Sequence, residues 1–463
     1  MNEELKQRLL RYGFLFPVFS GIQIDLNVVS RVEPDGRKVD ASLCDHNCTL
    51  QVGGYECPSA FTLNHGLKPK FAPGDEIFKW LITAGNGLRL ARDSMLRKNF
   101  THYCQEFRIP QDPAIVILEN LLSGKIEVNL FGGNPEMHPH VFMLIRELRA
   151  RGFVVNFTTT GRKFLQKRSF LQEFDRDPPN LIAVSADDYE PIDGMPLENV
   201  LAMDSESLKG LWRKISPLSG QLQKFVEGIY TARLAHERGN WPLVLFNMVI
   251  HRRNLDRVRG IIAGISRHLP KALVNPYPGQ SSFEDGAPLF TPEDLPDFEE
   301  LVDFFIAETV TGNPNITKRL QYWLVLKSVL RTYAKMPDTA CAMLSGYGIW
   351  QCFKQVGAGM YLQVGKANPD FEQIAENANA HPGGHAGCYW QNRTVTQAAQ
   401  IESEDQIENY LLGGMQDLHG SSKHPCPGCS MPRLWFNMVN TELGMNDELW
   451  PVYHQLRSQY VGF

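Results

Sequence analysis

Lys125-Ile126-Glu127-Val128-Asn129-Leu130-Phe131-Gly132-Gly133-Asn134-Pro135-Glu136-Met137-His138-Pro139 is the stretch on which the fold turns. Its first seven residues alternate polar and apolar, as a β-strand does, and the glycine pair ends them. From His140 to Arg151 the apolar residues recur at helical spacing, with Gly152 placed to cap the C-terminus. Phe153 to Thr160 is again a strand, rich in β-branched and aromatic residues. Strand, helix and strand in close succession form a βαβ unit, whose two strands run parallel because the helix carries the chain back.

The same alternation extends in both directions. Upstream, Gly21 to Val29 reads as one strand. Downstream, Leu181 to Ser185 is a fourth strand, opening into Ala186-Asp187-Asp188-Tyr189. Gln221 to Arg238 is a helix, Pro242 to Ile250 a fifth strand, Asn254 to His268 a helix and Ala272 to Tyr277 a sixth strand. The pattern predicts an α/β protein, a partial (β/α)6 TIM-like barrel over residues 1–290. Residues 58–125 form an insertion after the first cysteine loop, with a helix opening at Pro73-Gly74-Asp75-Glu76. Thr291 to Thr309 and Ile316 to Lys335 read as helices, so 291–335 is a helical connector. Residues 336–463 are rich in glycine, histidine and cysteine, with one hairpin strand at Gly359 to Gly365. A loop-rich segment of this kind holds together more readily when a metal site staples it. In parallel α/β folds chemistry sits at the C-terminal ends of the strands. The glycine pair, Thr158-Thr159-Thr160-Gly161 and Ser185-Ala186-Asp187-Asp188 all fall there.

At 463 residues the chain has room for about two to three domains. Hydrophobic residues are 43% and charged residues 21%, a globular balance. A net charge of -5 with no long block of like charge disfavours nucleic acid as a partner. No apolar run is long enough to cross a bilayer, and the charged N-terminus does not suit a secretory signal, so a cytoplasmic location without membrane is expected.

Nine cysteines is an odd count, and eight of them fall into two clusters, which in a reducing compartment reads as metal ligation. The first cluster is Cys44-x3-Cys48-x8-Cys57. Three thiolates can hold three irons of a cubane and leave the fourth open to a small molecule. Zinc is the competing ion, with His46 as a fourth ligand. The second cluster is Cys341, Cys352, Cys388 and Cys426-Pro427-Gly428-Cys429. Its C-x2-C turn aims two thiolates at one ion, iron or structural zinc. Cys104 stands alone in a helical pattern and reads as an ordinary buried thiol. His381 and His385, among glycines, read as exposed loop residues.

The first cysteine loop, Gly132-Gly133-Asn134-Pro135 and His138-Pro139 together resemble the radical S-adenosylmethionine enzymes over roughly residues 20–280. That family commonly carries C-x3-C-x2-C after the first barrel strand and Gly-Gly-Glu-Pro after the second. Here the second gap is eight residues, and Asn134 stands in place of the glutamate. Tyr55 lies two before Cys57, where the family often has an aromatic. The resemblance implies a 4Fe-4S cluster on Cys44, Cys48 and Cys57 with S-adenosylmethionine on its open iron. It implies that Gly132, Gly133, Asn134 and Pro135 meet the cofactor's methionine amino group, largely through backbone carbonyls. Thr159 then belongs to the cofactor-facing rim, and Ser185 and Asn247 bond its ribose or carboxylate. Read without the resemblance, these are an ordinary turn and satisfied polar groups at strand ends. Asp187 becomes a substrate or proton-transfer residue, and Tyr277 is similar in place.

The C-terminal region is similar to a SPASM or Twitch domain, which implies one auxiliary 4Fe-4S cluster on Cys352, Cys388, Cys426 and Cys429, with Cys341 spare or a replacement. The implied activity is hydrogen abstraction from a peptide or small-molecule substrate by a 5′-deoxyadenosyl radical, giving oxidation, cross-linking or rearrangement. A flavodoxin or ferredoxin would deliver the electron. About forty residues precede Cys44, an expectation against a separate peptide-recognition or cobalamin domain. Two other readings stand beside it: a zinc-stapled scaffold, and an iron–sulfur electron carrier that leaves the cofactor intact.

Overall fold

The computed structural model describes residues 21–26, 28–32, 38–42, scattered positions from 71 to 93, 125–131, 134–191, 195–215, 220–239, 241–278, 292–317, 323, 327, 349–356, 359–364 and 399–400. All six expected strand segments carry strands, and the chain is α/β as expected. The contacts divide it into two units.

In the first unit β1 (Gly21–Asp25) and β4 (Glu127–Phe131) pair in parallel, from Gly21 opposite Glu127 to Asp25 opposite Phe131. The run read as one strand to Val29 is in fact two. β2 (Val28–Val32) leaves the sheet and pairs antiparallel with β3 (Lys38–Ser42). The polar–apolar alternation runs on past Asp25, but the hydrogen-bonding partner changes at a bend where Leu26 is buried. The hairpin strand expected near Gly359 forms. β10 (Gly359–Val364) pairs antiparallel with β9 (Ile349–Val356), and the short β11 (Ala399–Gln400) pairs with β10. β9 lies parallel to β1, with Cys352 opposite Asp25.

After β4, α1 (Val141–Ala150) buries Val141, Phe142, Leu144, Ile145 and Leu148, the stripe its spacing predicts. Gly152 ends it in the left-handed region, φ +84°. The Phe153 amide reaches back to the Leu148 carbonyl at 3.2 Å, satisfying an end carbonyl that the helix cannot. Val154 then donates to Ile126 at 3.0 Å, starting β5 (Val154–Thr159).

The part of the second unit from Asn156 to Met336 holds a parallel sheet in the order β5, β6 (Leu181–Ser185), β7 (Leu243–Ile250), β8 (Leu273–Pro278). α2 (Arg162–Gln166) and α3 (Arg168–Arg176) join β5 to β6. α4 (Leu197–Ala202), α5 (Ser205–Ile215) and α6 (Gly220–Arg238) join β6 to β7. α7 (Leu255–His268) joins β7 to β8, and α8 (Leu295–Val310) follows.

Pro276 and Pro278 in β8 have no N–H to give, which suits a strand whose outer side is not a full ladder. The segment 315–317 covers part of that side: Val274 donates to Asn315, and Thr317 donates back to Val274 at 3.0 Å. Ile316, expected to open a helix, instead makes a parallel bridge to Val274. Asn315 locks the arrangement, its amide donating to the carbonyls of Pro270 and Ala272.

The alternation sorts the sheet into two faces. Phe157, Ile182, Val184, Val244, Phe246, Met248 and Val274 point one way and are buried. α6 lies against this face, where Gly228 comes within contact of Phe246 and Val184. Asn156, Thr158, Ser185, Leu245, Asn247, Leu273, Asn275 and Tyr277 take the alternate positions and are half-exposed.

Candidate functional site at the strand ends

In the first unit the turn after β4 is polar in sequence yet buried. Asn134, Glu136 and His138 are at most 3% exposed, around a 3-10 turn at Pro135–Met137. The carbonyls of Asn134 and Pro135 accept the amides of Met137 and His138 at 2.9 and 3.0 Å. The turn thereby fixes both carbonyls in place. The His138 Nδ1 accepts the His140 amide at 3.2 Å, which places the ring proton on Nε2. Its ring meets Phe71 edge-on at 5.1 Å.

In the second unit Ser185 and Asn247, two of the expected polar residues, take positions on the half-exposed face. Ser185, Asn247 and Asn275 are consecutive register partners across β6, β7 and β8. The Asn275 amide donates to Asn247 Oδ1 at 2.9 Å, which orients both side chains. Thr159 has a different, local task. Its hydroxyl accepts the Gly161 amide at 3.0 Å and holds the turn after β5. Gly161 is left-handed, φ +88°, and a Cβ there would lie 2.4 Å from the Thr231 hydroxyl and 2.8 Å from the Glu227 carbonyl. Only glycine lets the turn lie this close to α6.

Near its start α6 carries three polar side chains that are almost fully buried: Gln223, Lys224 and Glu227. Arg162 donates to Glu227 Oε1 at 3.2 Å and to Gln223 Oε1 at 2.8 Å, and the Trp212 indole also donates to Glu227 at 2.8 Å. Lys224 donates to Asp187 Oδ2 at 2.7 Å. One helix therefore anchors the chain beyond β5 through Arg162 and beyond β6 through Asp187.

The other Asp187 oxygen, Oδ1, accepts the Val249 amide at 3.0 Å, so a side chain continues the β6–β7 ladder after the β6 backbone has left it. Asn254 bridges the same two chains, its amide donating to the carbonyls of Asp187 and Val249 at 2.7 and 2.8 Å. Asp188 turns to Arg257, which grips both its oxygens at 2.7 Å, a fork-to-fork pair. That carboxylate holds the Arg257 guanidinium above its ordinary range, against burial that lowers it. Burial pushes the His251 imidazole down, with Asp187 and Asp188 opposing.

Of the residues expected from sequence, Ser185 and Asn247 are register partners on the half-exposed face, while Asp187 lies beyond β6, buried and bonded to Lys224 of α6. Tyr277 pairs in register with Val249 on β8. Cys352 lies in β9. Cys44, His46, Cys48, Tyr55, Cys57, Gly132, Gly133, Cys341, Cys388, Cys426 and Cys429 lie outside the described residues, as do Cys104, His381 and His385. Among the described residues no group of three or more His, Cys, Asp or Glu side chains could hold a metal ion, and no helix is long and apolar enough to cross a membrane.

Lys224, Arg162, Glu227, Asn254, Arg257 and Asn275 are the ones that sequence reasoning missed. A signal existed for the α6 pair. Phe225, Val226, Ile229 and Tyr230 spread apolar residues over more than one stripe, so charges between them had to be buried and therefore paired.

No protein-family model and no curated protein matches the chain. Among solved structures it is similar to Streptococcus suis SuiB bound to precursor peptide SuiA, with 12% identity, a TM-score of 0.45, and 92% of this chain and 73% of that chain covered. It is similar to anSMEcpe with bound AdoMet and Cp18Cys peptide at 12% identity and a TM-score of 0.37, covering 95% and 99%. For archaeal TYW1 the values are 12%, 0.27, 60% and 84%. These are distant likenesses.

Proposed function

We propose that the protein is a radical S-adenosylmethionine enzyme that abstracts hydrogen from a peptide or small-molecule substrate. One observation carries the reading. β1 and β4 run parallel with Asp25 opposite Phe131, so the chain leading to Cys44, Cys48 and Cys57 and the chain entering Gly132-Gly133-Asn134-Pro135 leave the sheet at the same end. Three thiolates and a glycine-paired backbone are the donor set that a site-differentiated cubane and an amino-acid-bearing cofactor need.

In this reading the Asn134 and Pro135 carbonyls, fixed by the 3-10 turn, accept from the cofactor's amino group. Ser185 and Asn247 offer a hydroxyl and an amide on the half-exposed face to its ribose or carboxylate. Thr159 serves indirectly by shaping the Gly161 turn. Asp187, read from sequence as a substrate or proton-transfer residue, acts at this strand end as a positioning residue, its carboxylate held by Lys224 and the Val249 amide. When bound, the cluster and cofactor supply a 5′-deoxyadenosyl radical, given one electron by a flavodoxin or ferredoxin. Residues 1–290 would be the catalytic domain, 291–335 a connector, and 336–463 a SPASM/Twitch-like region. That region would hold one auxiliary 4Fe-4S cluster on Cys352, Cys388, Cys426 and Cys429, with Cys341 in reserve.

The test is anaerobic purification with iron and sulfide counting, then dithionite and S-adenosylmethionine with chromatography for 5′-deoxyadenosine. About eight irons per chain, as two cubanes require, together with 5′-deoxyadenosine support the reading. Cys44→Ala should abolish 5′-deoxyadenosine and leave about half the iron. Zinc without iron, and intact S-adenosylmethionine, would overturn it in favour of a zinc-stapled scaffold. Iron without cofactor cleavage would leave an electron carrier.

A further inference from the structure

His251 follows β7 directly, at the strand end that also carries Asn247 and the Asp187 clamp. Its backbone amide donates to Asn254 Oδ1 at 2.9 Å, and Asn254 is itself tied to the carbonyls of Asp187 and Val249. Its Nδ1 accepts the Arg253 amide at 3.3 Å, so the proton of the neutral ring sits on Nε2. The ring is thereby fixed in tautomer and in place.

That Nε2 is shielded from solvent and has no hydrogen-bond partner among the described residues. Buried donors are nearly always satisfied, and a lone one needs a cause. The two carboxylates near enough to act on the ring are both engaged elsewhere. Asp187 accepts from Lys224 and from Val249, and Asp188 accepts twice from Arg257. The chain thus places acceptors beside His251 and turns them to other donors.

We propose that His251 Nε2–H is a ligand-binding donor at the ends of β6 and β7, where it takes a carbonyl or carboxylate oxygen of the substrate. The proposal rests on the radical-enzyme reading for the word substrate and on this geometry alone for the donor. The surroundings suit such an oxygen. Asp187 is balanced by Lys224 and Asp188 by Arg257, and Arg253 adds a positive charge, so an acidic or polarised oxygen meets no uncompensated anion.

The experiment uses the full chain, purified anaerobically with its metal, and N-acetylglycine as the probe, which carries both an amide carbonyl and a carboxylate. ¹⁵N NMR of histidine-labelled protein reads the tautomer of His251 before the probe is added and its Nε2 shift afterwards. The expected result is an Nε2-protonated ring whose Nε2 signal moves downfield as the probe saturates. The Gln variant, His251→Gln, keeps a donor near that position and should hold the probe within about threefold of wild type. His251→Phe should weaken it more than tenfold. A proton on Nδ1, a shift that ignores the probe, or equal binding by wild type and His251→Phe would each overturn the proposal. The wild-type titration stands without either variant, so a variant that fails to fold does not rescue it. 5′-Deoxyadenosine is measured in the same samples: its absence would remove the radical reading while leaving the histidine result in force.

Discussion

The two faces of the β5–β8 sheet are made from the same four strands and do opposite things. On one, Phe246, Ile182, Val184 and Val274 are fully buried, and α6 lies against them. On the other, Ser185, Asn247 and Asn275 stand in register and half-exposed, with Asn275 bonded to Asn247. One face supplies hydrophobic burial, the main stabilising term in folding. The other holds hydroxyls and amides where burial would be costly without a partner. The sheet is thus held by one side and free to be polar on the other. Stability and ligand binding should therefore respond to different residues, one position apart in the chain.

The largest expected effect tests that separation directly. Phe246→Ala should destabilise the protein by about 3–5 kcal/mol, because it removes a fully buried ring and leaves a cavity. Asn247→Ala, its neighbour, should cost no more than about 1 kcal/mol, the net value of one partly exposed hydrogen bond. Urea unfolding of the two variants reads the difference. Equal losses would mean that both faces are structural and would break the comparison.

Next in size is the Asp187–Lys224 pair, 2% and 8% exposed. Lys224→Met should cost about 3 kcal/mol or more, since it strands a buried carboxylate. Adding Asp187→Asn should recover part of that loss, because the amide oxygen can still accept the Val249 amide while no charge is left behind. A double-mutant cycle with no recovery would show that Lys224 acts mainly through its packing.

The same clamp marks where reading the sequence stops. The strands were legible because Val, Ile and Phe recur in short runs between turn residues, and α1 because its apolar residues fall at helical spacing. Which strand lies beside which, and in what register, is not written in any one run. So Ser185 and Asn247 could be picked as strand-end polar residues, while the bond from Asn275 to Asn247 could not. Gly21 to Val29 misled for a related reason: alternation tells that a segment is extended, not that it keeps one partner. Lys224 and Asp187 are 37 positions apart, and nothing local in either links them. Thr159 was legible as part of a turn, but its role in holding Gly161 against α6 depends on a helix more than sixty residues on.

Gly161 offers a smaller effect. Alanine there must adopt a left-handed backbone and push against Thr231 and the Glu227 carbonyl, for about 2–4 kcal/mol in all. Thr231→Ala in the same chain removes the side-chain clash but neither the backbone one nor the left-handed φ. It should therefore return less than half the lost stability in thermal unfolding. Full recovery would mean that the turn can move away from α6, and that Arg162 is not held as tightly as its bonds to Glu227 and Gln223 imply.

The smallest effect is a slope with pH, and it separates the strand-end cluster from the protein surface. His251 sits below the ordinary histidine range because burial disfavours its charged form; Asp187 and Asp188 raise it and Arg253 and Arg257 lower it, with burial prevailing. Unfolded, it titrates near pH 6.5. Between that point and its lower folded value the unfolded chain binds more proton than the folded one. Its contribution is therefore complete above about pH 6.5 and is lost as the pH falls from there through the folded value. The exposed Glu198, lowered chiefly by its hydrogen bond to His268, works in another window. Its contribution is complete above the ordinary glutamate range, about pH 4.3, and is lost only on further acidification. Urea unfolding at about pH 7.5, 6.5 and 5.5 should thus show a decline that His251→Phe flattens and Glu198→Gln leaves in place. If Glu198→Gln flattens it instead, acid sensitivity belongs to the surface, and the buried imidazole carries none of it.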